Sequence, residues 1–130
     1  MRTKTLPGAL VILTVATLLA MPFAAAAARS VHFGLARSVP AADATVHQVP
    51  EVRLWFSEAP ADGSVSVRLL DAAGDLVDTS DPTRDAEDAT VFVVRPRTPP
   101  GPGAYKVSWR GMGADGHVVR GDFAFSVAAH

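Results

Sequence analysis

The chain has 130 residues, with twelve basic and thirteen acidic side chains and no cysteine. This balance of charge argues against a nucleic-acid partner, which needs a strongly basic face, and the missing cysteines exclude disulfides and thiolate chemistry. A metal site must therefore use imidazole, carboxylate, backbone or terminal amine, or thioether groups.

The first 28 residues have the three parts of an export signal. Arg2 and Lys4 precede the apolar run GALVILTVATLLAM, which is too short and wrongly flanked for a stable membrane span, and alanines fill positions 24–28. We expect a signal peptide over 1–28 and one domain over 29–130, with no membrane span after the signal is removed. The protein is then exported, to the periplasm or another extracytoplasmic location such as the cell surface. Without Arg2 and Lys4 the formal charge is −3.

Apolar residues alternate with other residues in several short runs, and turn-forming residues separate these runs. In chain order the predicted strands lie in TVHQV, VRLWFS, SVSVRLL, LVDT, TVFVVR, AYKVSWR and RGDFAFSV. DAAGD is typical of a hairpin turn built on Gly74, and the acidic stretch DTSDPTRDAED is typical of a solvated loop. About seven strands without helical periodicity predict an all-β fold, either an immunoglobulin-like antiparallel sandwich or a Greek-key barrel.

The segment GADGH directly precedes the last predicted strand. Because residues two apart point the same way in extended chain, Asp115 and His117 are placed to offer one oxygen and one nitrogen to a single ion, and Gly116 lets the backbone bend. Such donors suit Cu(II), Ni(II) or Zn(II). The alternative is a hairpin turn that carries an exposed imidazole.

Four segments, in this order and spacing, resemble the CopC family of exported copper-binding proteins. They are HFGLARSVPAADATV, VRLWFSEAP, VRLLDAAGDLV and PGAYKVSWRGMGADGHVVRGDFAF, and they cover nearly all of the chain after the signal. The resemblance implies a Greek-key barrel or immunoglobulin-like sandwich, in agreement with the strand pattern. It also implies that the Asp-Gly-His segment belongs to a Cu(II) site.

The resemblance carries over to particular residues. Asp115 and His117 match the Cu(II) motif, and His32 matches a histidine three residues before the leucine of an LxxSxP motif, here LARSVP. In typical members this histidine is the first residue after cleavage, so that its imidazole and its α-amine both bind the ion in a histidine brace. Glu58 matches a carboxylate that orients a ligand by hydrogen bonding; the alternative for Glu58 is a surface charge at a strand end.

The sequence departs from the family pattern at two points. Cleavage after Ala28 would make Arg29 the first residue and His32 the fourth, so the His32 imidazole could bind while its own nitrogen would be an amide. Met112 is the only methionine after the signal, and one thioether cannot make a dedicated Cu(I) site. The chain therefore resembles the Cu(II)-only members.

The resemblance predicts an exported protein, without catalytic residues, that sequesters or delivers Cu(II) in copper resistance or homeostasis. The implied partners are the copper ion and a membrane copper-transport protein of the CopD type. One alternative is a histidine-brace oxidative enzyme, although the Asp115 carboxylate would fill a copper position that oxygen chemistry needs open. The other alternative is a metal-free immunoglobulin-like interaction domain.

Overall fold

The structure is a computed structural model that describes residues 3, 8 and 32–130. The predicted signal peptide and its cleavage site thus lie outside the described residues, apart from two isolated positions. Among the described residues, no helix is long and apolar enough to cross a membrane.

Nine strands form two sheets in the described part of the chain. They are β1 (Leu35–Val39), β2 (Thr45–Val46), β3 (Val52–Phe56), β4 (Ser66–Leu70), β5 (Leu76–Val77), β6 (Thr83–Arg84), β7 (Val91–Val94), β8 (Gly103–Met112) and β9 (Val118–Val127). One sheet has the order β1-β3-β7-β6 and the other the order β2-β9-β8-β4-β5. The predicted all-β sandwich is confirmed. It differs from a purely antiparallel sandwich at one place, because β2 pairs with β9 in parallel.

The core lies between the two sheets and is built from alternating positions that the sequence predicts, together with β7, in which all four side chains are buried. In β3 the side chains of Val52, Leu54 and Phe56 are buried while the intervening ones are half-buried. Val107 and Trp109 in β8 are buried in the same way. Period-two burial of this kind lets each strand cover the core with one face and meet water with the other.

Two strands were not predicted, because neither shows the alternation. β1 has only one buried side chain, the hydroxyl residue Ser38, and its hydroxyl donates to the Pro40 carbonyl at 2.9 Å. β6 lies inside the acidic stretch expected to be a solvated loop. Arg84 of β6 reaches the Pro60 carbonyl at 2.9 Å and covers the Phe92 ring at 4.8 Å, so this loop is tied to the sandwich.

The hairpin of β8 and β9 places the candidate site. These two strands have ten residues each and pair along their whole length, from Gly103 with Val127 to Met112 with Val118. The turn between Met112 and Val118 therefore stands at one end of the sandwich. His47 follows β2, which pairs with the last residues of β9, and so lies at the opposite end.

Candidate metal centre

Residues 113–117 form the turn that joins β8 to β9. The Gly113 amide donates to the His117 carbonyl at 3.2 Å, and the Gly116 amide donates to the Gly113 carbonyl at 3.0 Å. Gly116 has a φ of +80°, a left-handed conformation that residues with a Cβ rarely adopt. The glycine of the Asp-Gly-His segment is thus needed for the turn itself.

Asp115 and His117 are brought together within this turn. Asp115 Oδ1 accepts the His117 backbone N–H at 3.0 Å, and Asp115 Oδ2 lies 3.0 Å from His117 Nδ1. The sequence argument placed both side chains on one side of an extended strand. They meet instead across a turn, because the carboxylate takes the amide of the residue two positions ahead, as aspartate commonly does in turns.

The same contacts set the charge of the pair. The backbone N–H of His117, and then its imidazole, hold the pKa of Asp115 below its usual value. Asp115 is therefore a carboxylate at neutral pH and carries the negative charge that a divalent cation needs. Both side chains are exposed, at 60% for Asp115 and 84% for His117, so an ion can reach them from solvent.

Glu58 supports the turn from the neighbouring sheet. It follows the end of β3, is half-buried, and its Oε1 accepts the Ala114 backbone N–H at 3.2 Å. Ala114 directly precedes Asp115, so this bond fixes the main chain from which Asp115 projects. The structure thus shows a carboxylate that contacts the backbone of the turn.

The segment before β1 reaches the same end of the sandwich. Phe33 is buried and stacks on Phe56, with ring centroids 5.2 Å apart. The Ser57 hydroxyl donates to the His32 carbonyl at 3.0 Å and accepts the Gly34 N–H at 3.0 Å, while the Ser57 N–H donates to the Gly34 carbonyl at 2.8 Å. The main chain at His32 is thereby held against the end of β3.

Gly113 is the point where these parts meet. A Cβ at Gly113 would lie 2.6 Å from Glu58 Oε1, 2.8 Å from Phe33 Cβ and 3.3 Å from Asp115 Oδ1. Only a residue without a side chain leaves room for such an approach. Phe33, Glu58 and Asp115 therefore surround one backbone position, and the residue next to Phe33 is His32.

The three predicted ligands are gathered only in part. Asp115 and His117 are in contact, and the His32 main chain lies at their end of the fold, where the His32 side chain is exposed. Among the residues that the structure describes, no three His, Asp or Glu side chains are close enough together to hold a metal ion. The two-residue pair is thus formed in the structure, and the predicted three-residue set is not.

The role of Ser57 was not predicted from the sequence. Its hydroxyl forms hydrogen bonds with main-chain atoms of residues that lie 23 and 25 positions earlier in the chain. A serine directly after a strand often bonds to nearby backbone, and this was the one available signal. Gly113 was missed for a similar reason, since two of its three neighbours, Phe33 and Glu58, come from distant segments of the chain.

The model of the CopC domain family matches residues 35–128. The chain belongs to the CopC family. Glu58, Asp115 and His117 lie inside the region matched by the CopC model, whereas His32 lies three residues before it.

Curated relatives support this assignment. The chain is 31% identical over 97 residues to Protein YobA of Escherichia coli strain K12, an alignment that covers 74% of this chain and 78% of YobA. Protein YobA of Shigella flexneri matches with the same identity and coverage.

Two solved structures share the CopC fold of this chain. CopC from Methylosinus trichosporium OB3b has a TM-score of 0.69 at 26% identity, covering 76% of this chain and 96% of that protein. PcoC, described as a methionine-rich copper resistance protein from Escherichia coli, has a TM-score of 0.68 at 29% identity, covering 75% of this chain and 99% of PcoC.

Proposed function

We propose that this protein binds Cu(II) as cargo and serves in copper resistance or homeostasis, either by sequestering the ion or by delivering it to a partner. The observation that carries the proposal is the exposed Asp115–His117 pair in the turn at the end of β8 and β9. Membership of the CopC family and similarity to PcoC, a copper resistance protein, support the same role.

The proposed ligands are His32, Asp115 and His117. Two imidazoles and a carboxylate, with a backbone or amine nitrogen beside His32, give the mixed nitrogen and oxygen set that Cu(II) favours in tetragonal geometry. Binding would require the His32 side chain to join the pair from the segment that Ser57 holds at this end of the fold. Glu58 would act through the backbone of Ala114, by fixing the turn that presents Asp115.

The donor types favour Cu(II) over Cu(I). Cu(I) prefers thioether and thiolate sulfur. The chain has no cysteine, and Met112 is its only methionine outside the proposed signal, in contrast to the methionine-rich PcoC. Imidazole and carboxylate donors remain, and these suit the cupric ion.

The cellular setting is part of the proposal. Residues 1–28 would direct export and be removed, and residues 29–130 would act in the periplasm or at another extracytoplasmic site. The proposed partner is a membrane copper-transport protein of the CopD type. A carrier role is favoured over oxidative catalysis, because the Asp115 carboxylate would occupy a copper position that oxygen must reach.

A competition titration with Cu(II) tests the ligand assignment. His117→Ala removes one imidazole, and we expect it to raise the Kd by more than the roughly 10–100-fold that loss of an outer hydrogen-bond partner costs. His47→Ala is the matched control, because His47 is exposed at the opposite end of the sandwich. Parent-like affinity in His117→Ala would refute the proposed site.

A further inference from the structure

The outer face of the second sheet carries a group of basic residues that the sequence does not reveal. β4, β8 and β9 contribute three arginines and two serines to one shallow depression of about 240 Å³. These five residues are Ser66, Arg68, Ser108, Arg110 and Arg120. They are separated by up to 54 positions in the chain, so no basic run appears in the sequence, and only the pairing of the strands assembles them.

Strand register places these side chains beside one another. Arg110 of β8 stands directly opposite Arg120 of β9 and also opposite Ser66 of β4, while Arg68 of β4 stands opposite Ser108. Directly opposed residues have Cβ atoms about 5 Å apart. Three guanidinium groups and two hydroxyls can therefore point at a common centre.

The arrangement is unfavourable unless an anion is present. Like charges directly opposite each other across two strands destabilise the pairing. The carboxylate on this face, Asp122, lies 3.6 Å from the Lys106 ammonium and forms no ion pair with Arg68, Arg110 or Arg120. Asp122 stands opposite Ser108, but three guanidinium groups outnumber this one carboxylate, so the local charge of the depression is positive in a chain that is slightly acidic overall.

The other described arginines all have partners. Arg53, Arg84, Arg95 and Arg97 form ion pairs with carboxylates, and Arg37 lies over the Trp55 ring at 4.1 Å. Among the described arginines, the three that form neither kind of contact are the three that line this depression. Three guanidinium groups without a carboxylate or ring partner thus converge in one depression.

We propose that this depression binds a phosphoryl oxyanion, either inorganic phosphate or the phosphate of a lipid headgroup. Guanidinium groups match the geometry of phosphate oxygens through paired N–H donors, and the serine hydroxyls add neutral donors. A multiply charged tetrahedral anion can accept from several of these groups at once. The site is distinct from the Asp115–His117 pair, which lies in the turn beyond the last rungs of β8 and β9.

Thermal unfolding at constant ionic strength tests the site with inorganic phosphate, using chloride as the reference anion. A ligand that binds only the folded state raises the Tm, by about 7 °C at a tenfold excess over Kd for a domain of this size. We expect a saturable rise for the parent and none for the double variant Arg110→Gln, Arg120→Gln. The control Arg95→Gln, Arg97→Gln removes the same charge elsewhere and should keep the rise.

Co-sedimentation with vesicles separates the two sources of phosphate. Retention by vesicles of phosphatidylglycerol and phosphatidylcholine, but not of phosphatidylcholine alone, with loss in the Arg110/Arg120 variant, would assign the site to a lipid headgroup. A phosphate-dependent Tm without retention would assign it to soluble phosphate.

The proposal is overturned when neither the Tm shift nor the vesicle retention depends on Arg110 and Arg120. Circular dichroism of the double variant checks that it is folded, and its Cu(II) affinity should equal that of the parent.

Discussion

At the scale of single residues, the candidate centre depends on how one turn orients two side chains. Asp115 accepts both the amide and the ring nitrogen of His117, so the carboxylate and the imidazole are held against each other before any ion arrives. While Nδ1 of His117 donates to Asp115, the lone pair of the ring lies on Nε2, which faces away from the carboxylate. Binding of one ion by both side chains therefore requires the imidazole to rotate out of this hydrogen bond. The pair thus combines a fixed charge with an accessible nitrogen.

Glu58 offers a test of how the turn is positioned. Glu58→Ala removes the acceptor of the Ala114 N–H, and we expect the Kd for Cu(II) to rise by about tenfold because Asp115 is less well fixed. Glu58→Gln keeps a side-chain oxygen at this position and should recover most of the affinity. A competition titration measures both. Equal affinity in the parent and in Glu58→Ala would show that Glu58 is only a surface charge.

The sequence predicted the nearness of Asp115 and His117, because two residues so close in the chain need only a local bend. It could not predict Ser57 and Gly113 as part of this end of the fold, because their contacts come from segments that pairing of distant strands brings together. The position of His32 was predicted only in part. Its segment is fixed by Ser57, but the three candidate ligands are not gathered into one set.

At the scale of strands and loops, regular alternation was sufficient to predict β3 and β8, whose buried faces match the sequence pattern. β1 and β6 could not be predicted in this way. β1 turns a serine inward, and β6 is a two-residue strand within an acidic stretch. Their positions are set by hydrogen bonds to neighbouring strands, which a pattern along one segment does not record.

Asp85, in the acidic loop after β6, is expected to make the stability of the fold depend on pH. Asp85 accepts the backbone N–H groups of Glu87 at 2.8 Å and Asp88 at 3.1 Å, and it lies 3.2 Å from Arg53 Nη1. The Glu87 N–H, with further help from Arg53, lowers the pKa of Asp85. Because the folded-state pKa lies below the unfolded one, Asp85 stabilises the fold above the unfolded value near 4, and this stabilisation is lost as pH falls through the folded pKa.

The variant Asp85→Asn checks this assignment. It cannot titrate, so its deficit in free energy of unfolding relative to the parent should be largest at neutral pH and should shrink as pH falls below about 4. Urea unfolding across this pH range measures the difference. A deficit that stays constant with pH would show that the charge of Asp85 does not contribute.

At the scale of the whole molecule, stability must come from packing between the two sheets, since the chain has no cysteine to form a disulfide. Leu69 in β4 is fully buried at 0% exposure, whereas Leu76 in β5 is 62% exposed. Leu69→Ala should cost about 2–5 kcal/mol of unfolding free energy through the lost contacts and the cavity left behind. Leu76→Ala should change it by less than about 0.5 kcal/mol.

Denaturant unfolding of the two leucine variants gives this comparison directly. Similar losses in both would contradict a core located between the sheets. The same experiment matters for the candidate site, because Phe56 and Phe33 connect it to this core by ring stacking. A scaffold that packs tightly beneath the turn keeps the Asp115–His117 pair at a fixed place at the end of the sandwich.

In the proposed copper site, an imidazole from the start of the domain joins Asp115 and His117 around one cupric ion. Pulsed electron paramagnetic resonance of the 1:1 Cu(II) complex counts the coordinated imidazoles. We expect two in the parent, and one in both His32→Ala and His117→Ala, with a tetragonal spectrum in the parent. Two coordinated imidazoles remaining in His32→Ala would contradict the claim.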